Sequence, residues 1–497
     1  MQWRTILAKQ IGFTTLRENA RLASGLVGSV GNAKPFDIIL GECPIMINKI
    51  ILYSCLLVFS SSCRPKADLV IQDVTIIDVE NGSLQPGKSV AVTNGKIISI
   101  STDAVAAKQV IDGKGKYLIP GLWDMHTHIT MAGEEGLGIF LKCGITSIRD
   151  MGGDPGLIKG YIENANRLGN SYPDIYYSGR PLESASFLKR IQQIDTILMS
   201  NGVGPLWPTY RYRINPAAIE KPEEVNALLD QMKSQGISFV KYRSLESKEV
   251  YEAIASKSKA LKLAFGGHFP TQGITLEQAS DAGQNSFEHM YAFIDFIGQY
   301  DSLKLVALIN KLVKNNSYLV PTITTERYRV SSDSILGFQY TELLNGNSDL
   351  SSYKTDTALR SFATDWAIRK LEHHVMPHNV SELNRQFDAN LQLLKKLKKG
   401  GVKIMTGTDQ GSLMILPGIS LYQELENFVM FLDMSPAEAL KSATFYPAEF
   451  FGLLKEHGTI DVGKKADFIL LDQNPLEDIK SIRKVNLVIK NGVVSKI

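Results

Sequence analysis

The sequence contains few cysteines, and they are not arranged for metal binding. Its four cysteines, Cys43, Cys55, Cys63 and Cys143, include no Cys-X-X-Cys pair and no Cys/His pair at zinc-finger spacing. This argues against a cysteine metal site. Four cysteines in a chain of 497 residues also argue against a disulfide framework, even in an exported protein.

The sequence also lacks a strong charge of either sign. It has 54 lysines and arginines against 51 acidic residues, a formal net charge of +3, and its longest basic cluster is the short KKLKK at 395–399. Nucleic-acid-binding proteins usually have a strongly basic face, so nucleic acid is not expected as a partner. The composition, 44% hydrophobic and 21% charged, is typical of a globular protein with a large core.

Residues 46–63, MINKIILYSCLLVFSSSC, have the order of a secretory signal peptide. Lys49 provides a basic start, a largely apolar stretch of ten residues follows, and three serines lead to Cys63. The apolar stretch is too short to span a bilayer, which favours a signal peptide over a transmembrane helix. A buried apolar strand is the alternative.

The residues before Cys63 resemble a bacterial lipobox, although Ser60 stands where leucine is commonest. The resemblance implies that Cys63 is lipidated and is the first mature residue. On this interpretation Met46 is the true start, and residues 1–45 are an upstream extension or disordered. The mature protein is then expected in a bacterial envelope, periplasmic or at the outer membrane, and attached to the membrane through the lipid only.

Segments with the character of β-strands occur at both ends of the remaining chain. Residues 67–115 contain DLVIQDVTIIDVENG and SVAVTNGKIISI, in which NG pairs indicate hairpin-like turns. Residues 451–497 contain GTIDVGKKADFILLD and VNLVIKNGVVSKI. We therefore predict one small composite β-sandwich domain formed by both chain ends.

Between these ends, residues 116–450 alternate between short apolar runs and segments with helical spacing of apolar residues. The eight runs are YLIPGLWDMHTH, GITSIRDMGG, DIYYSGRP, SFVKYRS, LKLAFGGH, NSFEHMY, YLVPTITTE and KIMTGTDQG. Alternating strands and helices predict a parallel α/β sheet, and eight units predict closure into a (β/α)₈ TIM-type barrel. The alternative, a doubly wound open sheet, calls for a Gly-rich phosphate loop, and GLWDMHTH is not one. Residues 327–390 exceed one unit and are predicted to form helices and loops over the barrel mouth, as a substrate lid.

Four histidines and a carboxylate fall at the ends of predicted strands, which converge on one face of a barrel. His126 and His128 alternate at the end of the first strand, so both side chains point to the same side and can reach one cation. His268 ends the fifth run and His289 the sixth. Asp409 closes the eighth, where a carboxylate can bind a metal and accept a proton from bound water.

Each of these residues also has an ordinary interpretation. A single strand-end histidine is more often a core or rim residue than a ligand, and Asp409 has the alternative of a helix N-cap. Their joint placement favours metal binding. Asp150, after the second strand, is expected to orient site residues or to cap a helix, and His457 is interpreted as a surface or helix-end residue.

Lys241 ends the fourth run, in FVKYR. A protonated ammonium cannot bind a metal, but a lysine converted to a carbamate by carbon dioxide is anionic and can bridge two ions. The alternative is a lysine that snorkels from a strand end to solvent. Tyr242 and Tyr291 are predicted to contact the substrate.

The motifs PGLWDMHTH, FVKY, GGHF, FEHM and TGTDQG, in this order, resemble the amidohydrolase superfamily, in particular its imidazolonepropionase-like and metal-dependent dipeptidase branch. The resemblance covers nearly the whole chain from about Ala67. It implies a two-metal site with these ligands: His126, His128 and Asp409 for one ion, His268 and His289 for the other, and carboxylated Lys241 between them. Zinc is the first expectation, and manganese, cobalt or iron also suit such ligands. Members with one metal and an unmodified lysine exist, which leaves the metal count open.

The sequence therefore predicts a metal-dependent hydrolase that cleaves a carbon–nitrogen bond. A hydroxide held between two divalent cations is expected to attack a carbonyl carbon, while Asp409 transfers the proton to the leaving nitrogen. The expected substrate is a small molecule: an amide, a dipeptide or a cyclic amide. Two alternatives stay open, a mononuclear deaminase-type hydrolase and a non-catalytic metal-binding lipoprotein on the same scaffold. No oligomeric state is predicted.

Overall fold

The computed structural model describes most of the chain after residue 66. The described ranges are 67–168, 172–200, 211–270, 273–375 and 379–495. The predicted signal segment 46–63, with Cys63, and the predicted extension 1–45 lie outside the described residues. Within the described ranges, no helix is both long enough and apolar enough to cross a membrane.

Strands from both chain ends form a single eight-stranded sheet in the order β18-β17-β16-β5-β1-β2-β3, with β4 also paired to β1. These strands are β1 (Ala67–Ile77), β2 (Leu84–Thr93), β3 (Lys96–Ser101), β4 (Ala107–Asp112), β5 (Tyr117–Pro120), β16 (Phe468–Leu471), β17 (Val485–Lys490) and β18 (Val493–Ser495). The two ends meet where β16 pairs antiparallel with β5. Because all eight strands belong to one sheet, the predicted sandwich stays a prediction.

Alternation of side chains explains why these segments form a sheet with a buried face. Leu69 and Ile71 in β1 pack with Val90 and Val92 of β2 in one apolar cluster, as period-2 patterning requires. The NG pair between β2 and β3 makes the predicted tight turn, with φ of 51° at Asn94 and 71° at the following glycine.

The middle of the chain supplies parallel strands. A three-stranded sheet has the order β6-β7-β8, and a seven-stranded sheet has the order β10-β9-β11-β12-β13-β14-β15. Their bounds are β6 (Leu122–Thr127), β7 (Ile145–Asp150), β8 (Asp174–Tyr177), β9 (Leu182–Glu183), β10 (Ala217–Ala218), β11 (Phe239–Ser244), β12 (Ala264–Gly267), β13 (Gln284–Glu288), β14 (Tyr318–Val320) and β15 (Lys403–Ile404). Each of the eight predicted apolar runs contains one of the strands β6, β7, β8, β11, β12, β13, β14 and β15.

Backbone hydrogen bonds connect both outer strands of the three-stranded sheet, β6 and β8, to the seven-stranded sheet. On one side, Asp409 N donates to His126 O at 2.8 Å, and Met125 N donates to Thr406 O, just after β15, at 2.9 Å. On the other side Ser238 N, just before β11, donates to Tyr177 O of β8 at 2.8 Å. The carboxyl ends of β6 and β15 therefore lie side by side, although they are far apart in sequence.

Helices separate the strands, most of them with one apolar face against the core. They are α1 (Ile129–Ala132), α2 (Glu134–Lys142), α3 (Pro155–Leu168), α4 (Ala185–Ser200), α5 (Pro222–Ser234), α6 (Lys248–Ala260), α7 (Leu276–Ala282), α8 (Phe293–Ile297), α9 (Ser302–Lys314), α10 (Ile323–Arg329), α11 (Asp333–Asn345), α12 (Asp356–Val375), α13 (Val380–Lys399), α14 (Ile419–Leu432), α15 (Pro436–Ser442) and α16 (Phe445–Phe450). Short 3₁₀ turns occur at Ser351–Tyr353 and Ile479–Arg483.

The predicted insertion 327–390 is helical where it is described, and it contacts loops at the carboxyl ends of strands. Just before α12, the Thr355 hydroxyl donates to Ala132 O in α1 at 2.6 Å. Within α12, the Ser361 hydroxyl donates to Gly411 O, in the loop after β15, at 3.1 Å. Helix α12 therefore lies next to the strand ends from which the predicted metal ligands come.

A buried ion-pair cluster joins the eight-stranded sheet to β8. Lys490 Nζ lies 2.8 Å from Asp467 Oδ2 and 2.9 Å from Asp174 Oδ2, and the Lys490 side chain is only 1% exposed. His457, interpreted above as a surface or helix-end residue, is instead buried here, with Nδ1 3.9 Å from Asp467 Oδ2. Ligand atoms of Asp174, Asp467 and His457 lie within 4.8 Å of one another, close enough to hold a metal ion. Because the Lys490 ammonium contacts both carboxylates, we interpret the cluster as structural.

Replacing Lys490 with methionine is expected to lower the free energy of unfolding by about 3–5 kcal/mol, because the buried Asp467 carboxylate would lose its counter-charge. Of its ion-pair partners among the described residues, Asp174 would keep only Lys465, at 3.3 Å. Urea denaturation measures this effect. The control is Lys108→Met, which removes an ion pair with Asp68 whose side chains are 72% and 37% exposed. That change is expected to be worth less than about 1 kcal/mol. Equal effects of the two substitutions would contradict the structural interpretation of the cluster.

Candidate metal centre

The structure brings the predicted ligands together at the carboxyl ends of the parallel strands. His126 Nε2 lies 3.4 Å from Asp409 Oδ1, and His128 Nε2 lies 3.5 Å from the same oxygen. The His289 ring centre lies 4.7 Å from that of His126 and 4.8 Å from that of His268. The two histidine pairs predicted to serve different ions are therefore adjacent.

Lys241 belongs to the same cluster. It lies in β11, and its side chain is buried with 1% exposure. Burial lowers the pKa values of His126 and His268, and the charge of Lys241 lowers them further. Burial lowers the pKa of Lys241 itself to about 8, against the attraction of the Glu288 and Asp409 carboxylates. The lysine therefore does not snorkel to solvent, and its amino group faces the histidines.

The backbone is strained where two of the ligands leave their strands. His289 has φ of 68° and Asp409 has φ of 58°, in the left-handed region that residues other than glycine seldom adopt. Backbone hydrogen bonds hold both: His289 N donates to Val320 O at 2.7 Å, and Asp409 N to His126 O at 2.8 Å. Such strain concentrates at functional sites, where the surrounding structure fixes a required side-chain direction.

Hydrogen bonds to Nδ1 fix the tautomers of His126 and His128. His128 Nδ1 lies 3.0 Å from Gly152 O, and a carbonyl oxygen can only accept, so Nδ1 carries the proton. His126 Nδ1 lies 2.9 Å from Glu288 Oε2, a carboxylate whose pKa is lowered to about 2 despite its burial. In both histidines Nε2 therefore presents a lone pair toward Asp409.

The other two histidines also have their Nδ1 atoms engaged. His289 Nδ1 lies 2.8 Å from Thr322 Oγ1, and His268 Nδ1 lies 3.3 Å from the Tyr291 hydroxyl. Burial holds the pKa values of both rings well below their usual range. Neutral imidazoles oriented through one nitrogen are the form in which histidine binds a metal.

Asp409 is held as an anion. Its burial opposes ionisation, but His128, His289 and His126 outweigh that effect and keep the pKa of the carboxyl far below its usual range. Oδ2 accepts a hydrogen bond from Ser412 Oγ at 2.7 Å. This leaves Oδ1 directed toward the two histidine Nε2 atoms.

The donor set fits a divalent cation. A tetrahedral ion with bonds of about 2.1 Å places its ligand atoms about 3.4 Å apart, close to the observed spacings around Asp409 Oδ1. His126 Nε2 and Lys241 Nζ are also among the buried polar atoms of the described residues that have no hydrogen-bond partner. Unpaired buried polar atoms are unfavourable, so both atoms are explained if a cation and a modified lysine complete the site. The imidazole and carboxylate donors suit zinc, manganese, cobalt or iron.

Sequence reasoning missed the buried acid that orients His126. Glu288 is fully buried; Oε1 accepts from Arg149 Nη2 at 2.7 Å and from Ser286 Oγ at 2.6 Å, while Oε2 faces His126. Arg149 is itself anchored by Met125 O at 2.6 Å. The only sequence signal was the acidic residue immediately before His289 in FEHM.

A second missed residue, Asp124, connects the strand ends that carry His126 and Asp409. Its Oδ1 accepts from His126 N at 3.2 Å and from Thr408 N at 3.1 Å, and its Oδ2 accepts from Thr408 Oγ1 at 2.7 Å. The alternation DMHTH carried this signal, because Asp124 falls on the same side of the strand as both histidines.

Asp150 has both of the roles expected from the sequence. Its Oδ2 accepts from Ile129 N at 2.8 Å, at the start of α1, and its Oδ1 accepts from Gly152 N at 3.2 Å. The first contact caps the helix that follows His128. The second fixes the glycine whose carbonyl oxygen orients the His128 ring.

The two predicted substrate contacts have different surroundings. Tyr242 points away from the site into the apolar core, with its hydroxyl donating to His268 O at 2.6 Å and its ring against Tyr251. This corrects the expectation for Tyr242: strand alternation directs Lys241 inward and its neighbour outward. Tyr291 is half-buried beside His268, and its contact with substrate stays a prediction.

Replacing Glu288 with glutamine is expected to weaken metal binding about 10- to 100-fold, because an amide is a poorer partner than a carboxylate for the His126 ring. Competition with a chromogenic chelator measures the affinity. The matched control is Glu449→Gln, which changes a carboxylate paired with Lys403 at 2.7 Å, outside the site. Unchanged affinity in the Glu288 variant would rule out this orienting role.

Comparison with known proteins identifies the relatives of this chain. A match of 31% identity over 150 residues to an adenine deaminase of Desulforamulus reducens covers 27% of this chain and 25% of that protein. A match of 33% identity over 113 residues to an imidazolonepropionase of Pseudomonas savastanoi pv. phaseolicola covers 22% of this chain and 28% of that one. The matches thus span about a quarter of these curated relatives.

The fold is similar to solved structures over most of the chain. A crystal structure of a Xaa-Pro dipeptidase with methionine bound in its active site covers 86% of this chain, with a TM-score of 0.61 and 19% identity. At that identity the likeness concerns the fold alone. The model of the amidohydrolase family matches residues 117–494, which include all the predicted ligands. The chain therefore belongs to the amidohydrolase family.

Proposed function

We propose that the protein is a metal-dependent hydrolase that cleaves the carbon–nitrogen bond of an amide, a dipeptide or a cyclic amide. The observation that carries the proposal is the convergence of two histidine Nε2 atoms on Asp409 Oδ1, at 3.4 and 3.5 Å. Family membership supports the same reaction type.

The proposed scaffold is a closed (β/α)₈ barrel with the site at its carboxyl-terminal mouth. The hydrogen bonds between β6 and the segment after β15, and between β8 and the residue before β11, support closure, because they join both outer strands of the three-stranded sheet to the seven-stranded sheet. The likeness to the Xaa-Pro dipeptidase structure supports the same architecture.

The proposed ligands are those implied by the sequence. They are His126, His128 and Asp409 for one ion, His268 and His289 for the second, and Lys241, as a carbamate, between them. Bound divalent ions would lower the pKa of water toward about 7 and polarise the substrate carbonyl. Carbamate formation joins the lysine nitrogen to the carbon of carbon dioxide and releases one proton. It thereby converts a buried amine without a hydrogen-bond partner into an anion.

Within this site, Asp409 is the proposed proton carrier. Its Oδ1 lies among the histidine nitrogens, and its side chain is 15% exposed, so it also borders the mouth. As an anion it can accept a proton from the attacking water and deliver it to the leaving nitrogen. The hydrogen bond from Ser412 fixes the carboxylate plane for this transfer.

The helices of the 327–390 segment are the proposed lid. The contact of Ser361 with Gly411 O places α12 beside the loop that carries Asp409. A helix in this position can restrict water access around the ligands and limit the size of the substrate.

A deaminase-type reaction is the second candidate, because adenine deaminases are among the curated relatives. That chemistry would release ammonia from an aromatic ring, and a single ion at His126, His128 and Asp409 would accommodate an unmodified Lys241.

The test is to incubate zinc-loaded protein with N-acyl amino acids, dipeptides, cyclic amides and adenine, and to quantify primary amines and ammonia separately. Release of an amine or amino acid, lost after chelation and restored by zinc, is the expected result. Ammonia from adenine alone would favour the deaminase. Bound metal with no turnover of any compound would contradict the proposal and favour a binding protein.

A further inference from the structure

Arg329 packs on the ring of Tyr291 beside the site, and a second arginine, Arg243, extends from β11. Arg243 lies two positions after Lys241 in β11, so its side chain leaves the same side of the strand, and it is 38% exposed. Arg329 ends α10, with its guanidinium carbon 4.7 Å from the centre of the Tyr291 ring and its side chain 54% exposed. Arg243 also has partners within the protein: its Nη1 lies 3.8 Å from Glu183 Oε1, and its guanidinium carbon lies 4.6 Å from the centre of the Phe187 ring.

Tyr291 lies between Arg329 and two of the predicted metal ligands. Its hydroxyl lies 3.3 Å from His268 Nδ1, and its ring centre lies 5.6 Å from that of His289. Asn390 Nδ2 donates to Tyr291 O at 3.1 Å and fixes the loop. The Tyr291 ring therefore lies between the Arg329 guanidinium and the His289 ring. A small amide substrate is long enough to extend across one aromatic ring, from the metal ligands to Arg329.

The end of α10 that carries Arg329 is anchored rather than loose. Arg369 Nη1 donates to Arg329 O at 3.0 Å, and Arg369 Nε pairs with Asp333 at 2.7 Å. The Arg329 guanidinium approaches Glu326 at 3.5 Å through one nitrogen. A guanidinium has five N–H donors in a planar fork, so this contact leaves other donors for an anion.

We propose that Arg329, together with Arg243, binds a carboxylate of the substrate close to the scissile bond, an inference that rests on the proposed function. N-Acyl amino acids and peptides with a free carboxyl group would then be preferred over neutral amides. In such substrates the carboxylate is only a few covalent bonds from the scissile carbonyl. Two arginines, one in β11 and one at the end of α10, match a planar anion better than they match a neutral group.

The test uses N-methylsulfonyl-L-leucine and its amide, which differ in the charge of one terminal group and whose sulfonamide bond the proposed hydrolase is not expected to cleave. Calorimetric titration of the zinc-loaded protein is expected to give about tenfold or greater tighter binding of the carboxylate. Arg329→Gln is expected to reduce this preference to within about twofold. The matched control is Arg327→Gln on the same helix, whose side chain donates to Asn427 at 2.8 Å and lies over Phe431, and it should keep the full preference.

Equal binding of the two probes, or binding of neither, would overturn the inference. A preference that survives in Arg329→Gln would also overturn it, since the carboxylate would then be held by the metal ions instead. Because this binding measurement requires no turnover, it is independent of the hydrolysis test. An intact, arginine-dependent preference without hydrolysis of any amide would contradict the proposed function alone.

Discussion

Replacing Asp409 with asparagine is expected to lower kcat by about 10³-fold or more. The carboxylate is both a proposed metal ligand and the proposed proton carrier, and general acid–base groups alone contribute about 10²- to 10⁴-fold. Asparagine keeps the size and the hydrogen bond to Ser412 but loses the negative charge that faces His126 and His128. Steady-state kinetics on a substrate identified in the amide panel, together with zinc content by mass spectrometry, measures both roles.

The control for this prediction is Asp388→Asn, on the exposed face of α13. It should leave both kcat and zinc content unchanged. If Asp409→Asn retained more than about a tenth of the wild-type kcat, Asp409 would not be the proton carrier. Loss of activity with full zinc content would separate the proton-transfer role from the ligand role.

Replacing Lys241 with methionine is expected to abolish activity while stabilising the metal-free protein. The Lys241 side chain is buried, its Nζ has no hydrogen-bond partner, and burial lowers its pKa. A methionine of similar length removes that unpaired polar group, which should raise the free energy of unfolding of the metal-free protein by about 1–3 kcal/mol. Urea denaturation in the presence of a chelator measures the gain.

The same variant tests the carbamate. Protein loaded with zinc in ¹³C-bicarbonate should show a carbamate resonance by NMR and two zinc ions per chain, and Lys241→Met should lack the resonance and retain at most one ion. Lys259→Met, on the exposed side of α6, is the control and should keep both. Two zinc ions in the Lys241 variant, or no resonance in the wild type, would contradict the carbamate.

The sequence was most informative where short-range patterns carry the structure. Each of the eight apolar runs contains a strand. Short apolar runs that are bounded by glycine or polar turn residues favour strands, and the longer segments between the runs have the apolar spacing of helices. His126, His128, His268, His289 and Asp409 are predicted as ligands from their positions at strand ends, and the structure brings these side chains close together. Family membership, indicated by the combined motifs, is confirmed by the match over residues 117–494.

What the sequence did not reveal depends on long-range contacts. Arg149 and Glu288 are 139 positions apart, so no local pattern indicates that one neutralises the other beside His126. His457 is buried beside Trp123, more than 300 positions earlier in the chain, with ring centres 5.5 Å apart, and no periodicity around His457 indicates this contact. Tyr242, in contrast, was predictable from strand alternation, which directs it away from the face that Lys241 occupies.

The central claim is that the strand-end ligands surround divalent cations, and anomalous diffraction at the zinc edge from crystals of the zinc-loaded protein tests it most directly. One peak is expected within bonding distance of His126, His128 and Asp409, and a second is expected beside His268, His289 and Lys241. A map without a peak among these side chains, or with its only peak at the Asp174, His457 and Asp467 cluster, would contradict the account.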